Sequence, residues 1–168
     1  MRLFFALTFS NETKNKITPF RDWVAREAEK GKYTRDANYH LTLEFLGETD
    51  PEKVPELKQI LLQLNEPPPV LRVNRIDSFQ KRNKKIIWLG IEEIPSLYQL
   101  QQQLVERLSN AGFETETRPY NPHITLGRRI ILHKPLDTFC FEPFELPVHA
   151  IALMESKRED DELVYEAI

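Results

Sequence analysis

The sequence predicts an α+β fold of two pseudo-symmetric lobes, each an antiparallel sheet with helices on its outer face, folded as one bilobal domain over residues 1–168. Three observations predict it. The chain has 168 residues, the length of one compact domain with a core large enough to fold unaided. Its 40% hydrophobic and 29% charged residues, with 5 Gly and 12 Pro, exclude disordered and collagen-like classes. A strand–helix–strand unit occurs twice: Phe5 to His40 and Trp88 to His123 both span 35 residues, which sets the second copy 83 positions after the first.

The elements follow in order. Residues 2–9, rich in Leu and Phe, read as a buried first strand. Ile17, Phe20, Val24 and Ala28 then recur at helical spacing until Gly31 closes the segment. Tyr39 to Gly47 alternates, with Leu41, Leu43 and Phe45 on one face and His40, Thr42 and Glu44 on the other. Asp50-Pro51 opens a second helix, Asp as cap and Pro at the first helical position; its stripe is Val54, Leu57, Leu61 and Leu64, and Pro67-Pro68-Pro69 stops it. Strands at about 70–79 and 85–91 flank a basic turn, Gln80 to Lys85. A third helix carries Ile94, Leu97, Leu100, Leu104 and Leu108 and ends near Gly112. His123 to Ile130 is the next strand. The Pro-rich stretch Pro135 to Pro147 reads as a long surface connection, followed by strand 148–155, a charged turn Lys157 to Asp161 and a closing strand 163–167.

Charge and cysteine content narrow the function. With 23 Lys+Arg against 26 Asp+Glu the net charge is −3, so no global positive field holds a phosphate backbone and any nucleic-acid role must rest on local patches. The lone Cys140 excludes an internal disulfide and a Cys-based zinc cluster and suits the reducing cytosol. The apolar run Leu3 to Leu7 is too short for a signal peptide, and nothing approaches the roughly 18 apolar residues of a membrane span.

His40-Leu41-Thr42-Leu43 and His123-Ile124-Thr125-Leu126 each put His and Thr on one strand face and two apolar residues on the other. A single strand histidine is commonly structural; two in the same four-residue setting of a repeat point to a shared site. Phosphodiester cleavage needs one group to take a proton from the attacking oxygen and another to give one to the leaving oxygen, and histidine titrates near neutrality. A hydroxyl beside each histidine is a positioned donor to the phosphoryl oxygens. Arg118 could bind phosphate by two parallel hydrogen bonds and Tyr120 could stack on a terminal base. Strict alternation puts Arg128 on the face opposite His123, so only a bulge would bring it to the cleft. Glu44, on the His40 face, would complete a three-ligand zinc set with His40 and His123, a reading that leaves both threonines unexplained. The Lys81–Lys85 turn could track an RNA backbone. His133, His149 and Cys140 read as structural.

Arg2-Leu3-Phe4-Phe5-Ala6-Leu7, His40 through Glu48, Arg118 through Arg128, and Ala152-Leu153-Met154-Glu155-Ser156 resemble the two-histidine (2H) phosphoesterases with paired His-x-Thr motifs. Within them the resemblance is to the RNA 2′,3′-cyclic phosphodiesterases, also called 2′-5′ RNA ligases. The resemblance implies that His40 is the general acid protonating the leaving ribose oxygen, that His123 is the general base activating water, and that Thr42 and Thr125 hold the phosphate. It implies opening of a terminal 2′,3′-cyclic phosphate to a 2′-phosphate without metal or other cofactor, on RNA ends; no membrane role is indicated and no obligate protein partner is inferred. The reverse reaction would join RNA ends through a 2′-5′ bond. A non-catalytic module binding RNA ends or nucleotides would use the same residues.

Overall fold

The computed structural model describes residues 1–168. Its strands are β1 (Arg2–Thr8), β2 (Ala28–Tyr33), β3 (Leu41–Glu48), β4 (Val70–Lys81), β5 (Lys84–Ile91), β6 (His123–Leu132), β7 (Phe144–Pro147), β8 (Ala150–Glu159) and β9 (Glu162–Ala167). The helices are α1 (Asn11–Arg26), α2 (Val54–Gln63) and α3 (Pro95–Asn110). They form a four-stranded sheet in the order β3-β1-β8-β9 and a five-stranded sheet in the order β2-β6-β5-β4-β7, with every neighbour pair antiparallel. Aligning β1 with β5 and β3 with β6 superposes the order β3-β1-β8-β9 on β6-β5-β4-β7. This is the two-lobed α+β arrangement that the 83-residue repeat predicts.

The lobes exchange elements. Helix α1 follows β1 in the chain but packs on β2, β6 and β7 of the other sheet; α3 follows β5 but packs on β3. Strands β8 and β9, from the end of the chain, complete the sheet that β1 begins. One cluster of 27 buried residues, including Phe5, Ile17, Leu57, Leu89, Leu104 and Ile124, draws on both sheets and all three helices. Strand β1 is central and covered on both faces. Leu3, Phe5 and Leu7 enter the main core, while Phe4 and Ala6 join Met154 in a smaller cluster, which explains a continuous apolar run instead of an alternating one.

Several boundaries differ from the sequence reading. The first helix ends at Arg26, and Ala28–Tyr33 is an edge strand on β6. Its sequence, AEKGKY, has little strand propensity, and pairing supplied by tertiary structure overrides that. Gly31 is a close-approach residue here, not a helix stop: a Cβ would lie 2.5 Å from the Tyr33 hydroxyl and 2.9 Å from Ile130 Cγ1. The Pro135–Pro147 connection contains β7, which borders β4, and buries Phe139 and Leu146. Strand β8 runs on to Glu159, and the turn narrows to Asp160-Asp161, both with positive φ (51° and 65°), the backbone of a tight two-residue hairpin.

Candidate active site

The two motif strands are bulged at equivalent places. Between β1 and β3 the pairs run Leu7 with Leu41 and Ala6 with Thr42, then Phe5 with Glu44, so β3 carries one extra residue. Between β5 and β6 they run Leu89 with Ile124 and Trp88 with Thr125, then Ile87 with Gly127, again with one extra residue. Each bulge reverses the alternation beyond it. Glu44 and Gly127 therefore turn inward and are buried, while Phe45 and Arg128 turn to the motif face and are exposed. From histidine to the sixth position the two strands share one pattern: half-buried His, buried apolar, half-buried Thr, then two buried positions and an exposed one. This corrects the sequence reading of three residues. Phe45 leaves the core face, Glu44 leaves the His40 face, and the bulge that Arg128 required is present.

Both histidines are held alike. His40 Nδ1 lies 2.8 Å from the carbonyl oxygen of Asn38, and His123 Nδ1 lies 2.7 Å from that of Asn121, two residues upstream in each case. A carbonyl only accepts, so Nδ1 donates and Nε2 is the nitrogen that titrates. Aromatic rings bracket each imidazole. Phe4 stands 5.0 Å from His40 at 44° and Tyr165 5.0 Å at 89°; Trp88 stands 5.3 Å from His123 at 48° and Phe79 5.2 Å at 87°. His40 Nε2 also meets Thr42 Oγ1 at 3.0 Å, where the hydroxyl donates to a neutral ring and accepts from a protonated one.

His40, Thr42, His123 and Thr125 line one cleft of about 620 Å³, together with Arg2, Phe45, Arg128, Ser156, Lys157, Arg158 and Tyr165. Burial pushes the His40 pKa down to about 4, against the Asn38 carbonyl that raises it; the charges of His123, Arg128 and Lys14 lower it further. Burial also lowers His123, with Arg128 adding to the effect and the Asn121 carbonyl opposing it. The free cleft thus presents neutral imidazoles beside fixed cations, a setting suited to an anion.

Residues 9–160 match the sequence profile of the 2′-5′ RNA ligase superfamily. The chain belongs to that superfamily. Among its relatives is an RNA 2′,3′-cyclic phosphodiesterase of Methanocaldococcus jannaschii, 36% identical over 130 residues, covering 76% of this chain and 71% of the relative. Another of the same name, from Thermotoga maritima, is 28% identical over 171 residues, covering 93% and 87%. The crystal structure of Escherichia coli LigT complexed with 3′-AMP matches the fold with a TM-score of 0.77 at 28% identity, over 99% of this chain and 94% of that one.

Two expected binding residues, Arg118 and Tyr120, line an adjoining groove that shares Thr42, Phe45 and His123 with the cleft. Arg118 is exposed there and ion-paired with Glu116 at 3.1 Å. Tyr120 donates its hydroxyl to the Thr42 carbonyl at 2.8 Å and packs edge-on against Tyr98, which braces β3. The Glu44 carboxylate accepts from the Glu116 amide at 2.7 Å and from Gln101 Nε2 at 3.3 Å, with burial raising its pKa. With its carboxylate engaged by these donors, Glu44 does not gather with His40 and His123 into a three-ligand set. Cys140 is exposed in a loop, its thiol directed at the Asp137 carbonyl.

Other contributors went unread in the sequence. Asn38 is buried, donates from Nδ2 to the Leu163 carbonyl at 2.8 Å and accepts the Tyr165 amide at 3.3 Å, thereby fixing β9 and its ring against His40. The signal was available: Asn38 and Asn121 also stand 83 residues apart. Lys157, Arg158 and Tyr165 carried no motif and reach the cleft only through the pairing of β8 with β1 and β9.

Proposed function

We propose that this chain, like the relatives named RNA 2′,3′-cyclic phosphodiesterases, acts on the 2′,3′-cyclic phosphate at an RNA end, and that it hydrolyses it to a 2′-phosphate. Water attacks phosphorus and gives its proton to His123 Nε2, a P–O bond forms, the P–O3′ bond breaks, and His40 Nε2 delivers a proton to O3′. Thr42 and Thr125 donate to the non-bridging oxygens, and Arg128 and Arg2 balance their charge. The observation that carries the reading is the matched pair of histidines, each with Nδ1 engaged by a carbonyl and both lining one cleft beside a threonine.

A phosphodiester anion between the rings favours their charged forms, so substrate itself raises His40 from its depressed value and readies the acid. Because two imidazoles supply both proton transfers, the reaction calls for no Lewis acid. Replacing water by an RNA 5′-hydroxyl in the same attack would form a 2′-5′ bond. Each lobe contributes one histidine, so residues 1–168 act as one functional domain. We place the reaction in the cytosol, where a lone exposed thiol such as Cys140 stays reduced; no helix is long and apolar enough to cross a membrane.

The test is turnover of an oligonucleotide ending in a 2′,3′-cyclic phosphate, with and without excess chelator. The expected result is a 2′-phosphate end at equal rates in both. Binding without turnover would establish the non-catalytic module instead, and activity lost to chelator and restored by one divalent ion would establish metal catalysis.

A further inference from the structure

Besides Arg2, which stacks on Phe45, the cations around the cleft differ in how they are engaged. On the β8–β9 side they are engaged: Lys157 pairs with Glu166 and Glu159, Arg35 with Glu162, and Arg158 donates to the Asp161 carbonyl. On the opposite side Arg128 lines the cleft without an ion pair, and directly across the strand pairing from it stands Lys32 on β2. Cross-strand partners share a sheet face, so Lys32 continues the line that Arg128 begins. Lys30, two residues away, points to the same face about 6.6 Å along the strand.

The line does not stop there. Lys30, Lys32, Lys84 and Arg129 together line a recess of about 540 Å³ in which Glu29 is the only carboxylate. All four cations are exposed, and none belongs to any of the chain's ion pairs. Arg129 holds a left-handed backbone (φ 54°) at the second irregularity of β6, an uncommon conformation that places it between the β2 edge and the β4–β5 turn bearing Lys81, Arg82 and Lys84. In a chain of net charge −3, these four cations are unpaired, and Lys32 connects them to the cleft through its cross-strand pairing with Arg128.

We propose that this strip binds the phosphate backbone of the RNA on the 5′ side of the terminal nucleotide, so that the enzyme acts preferentially on polynucleotide ends over mononucleotides. Charge complementarity and continuity with the cleft through Arg128 and Lys32 carry the inference. It rests on the hydrolytic reading of the cleft and adds substrate length and the direction in which the strand leaves. Backbone contacts of this kind are independent of sequence and sensitive to salt.

The experiment compares the unmodified chain with a triple variant, Lys30→Gln, Lys32→Gln and Lys84→Gln, whose sites are exposed and lie outside the catalytic machinery. The substrates are a nucleoside 2′,3′-cyclic monophosphate and a ten-nucleotide RNA with the same terminus. The variant should lose about tenfold or more in kcat/KM on the RNA and keep the mononucleotide rate, and the slope of log kcat/KM against log salt on the RNA should flatten by about 2, at roughly 0.7 per phosphate contact. Equal rates of variant and unmodified chain on the RNA, or equal losses on both substrates, would overturn the proposal while leaving the hydrolytic reading intact. Direct binding of a ten-nucleotide RNA ending in a 2′-phosphate reads the strip even without turnover. Weaker binding by the variant supports the proposal, and unchanged binding overturns it.

Discussion

An imidazole that exchanges protons at a defined oxygen must keep one tautomer, and the carbonyls of Asn38 and Asn121 enforce it on both rings. Replacing either His40 or His123 by Ala should cost roughly 10² to 10⁴ in turnover of a cyclic phosphate, the usual worth of one general acid or base, with the circular dichroism spectrum unchanged. The double substitution should cost far less than the product of the two, because either proton transfer is of little use without the other. The pH profile follows from the same residues. A base must be neutral, so its limb falls below its pKa; an acid must be protonated, so its limb falls above its pKa. Both free-chain values are pushed down, His40 to about 4, so the bell of kcat/KM should be centred below pH 6.5. The bell of kcat, which reports the complex, should be centred at higher pH because bound phosphate raises both groups. A kcat/KM optimum well above pH 7 would contradict the desolvated site.

At the level of elements, β3 is tied to the loop before β6 by the Glu44 carboxylate and by the Tyr120 hydroxyl, and that loop carries the Asn121 carbonyl that orients His123. Glu44→Ala would remove the acceptor of the part-buried Glu116 amide hydrogen bond, at a cost of about 0.5–1.5 kcal/mol in a denaturant titration, and should also lower kcat by loosening His123. Glu44→Gln keeps an acceptor for the amide and should recover most of both; equal loss in the two variants would mean that the bracket does not act through that hydrogen bond. The motif strands were legible in the sequence because their alternation is local, as were the apolar stripe of α3 and the Asp50 cap, which accepts the Glu52 amide at 2.9 Å but closes a 3-10 turn, Pro51–Lys53, that precedes α2. The bulges were not, since an extra residue in β3 or β6 shows itself only against the partner strand. Hence Phe45, Glu44 and Arg128 were each assigned the wrong face or needed a condition that only pairing could supply. Strand β2 was illegible for a similar reason: Ala28–Tyr33 forms a strand through pairing with β6 some hundred residues later.

Over the whole molecule, the two lobes that the repeat predicts are assembled by exchange of helices and strands between the two halves of the chain. Separating the chain between Pro68 and Pro69 would leave the N-terminal piece without β8 along the full length of β1, exposing a strand that is buried on both faces from Leu3 to Leu7. The same cut strips α1 of the β6 and β7 surface on which it packs. In the C-terminal piece, β6 loses its β2 neighbour and α3 loses β3, while β8 and β9 have no sheet to join. Hydrophobic burial is the main favourable term in folding, and neither piece retains a closed core. Each fragment alone should therefore lack fixed tertiary structure by near-ultraviolet circular dichroism and amide dispersion. Mixed in equal amounts, they should recover both signals along with cyclic-phosphate turnover, because each supplies one histidine and the strands the other lacks. A fragment that folded cooperatively alone would show that its lobe is self-sufficient, and the exchanged helices and strands would then be an ornament on two independent units.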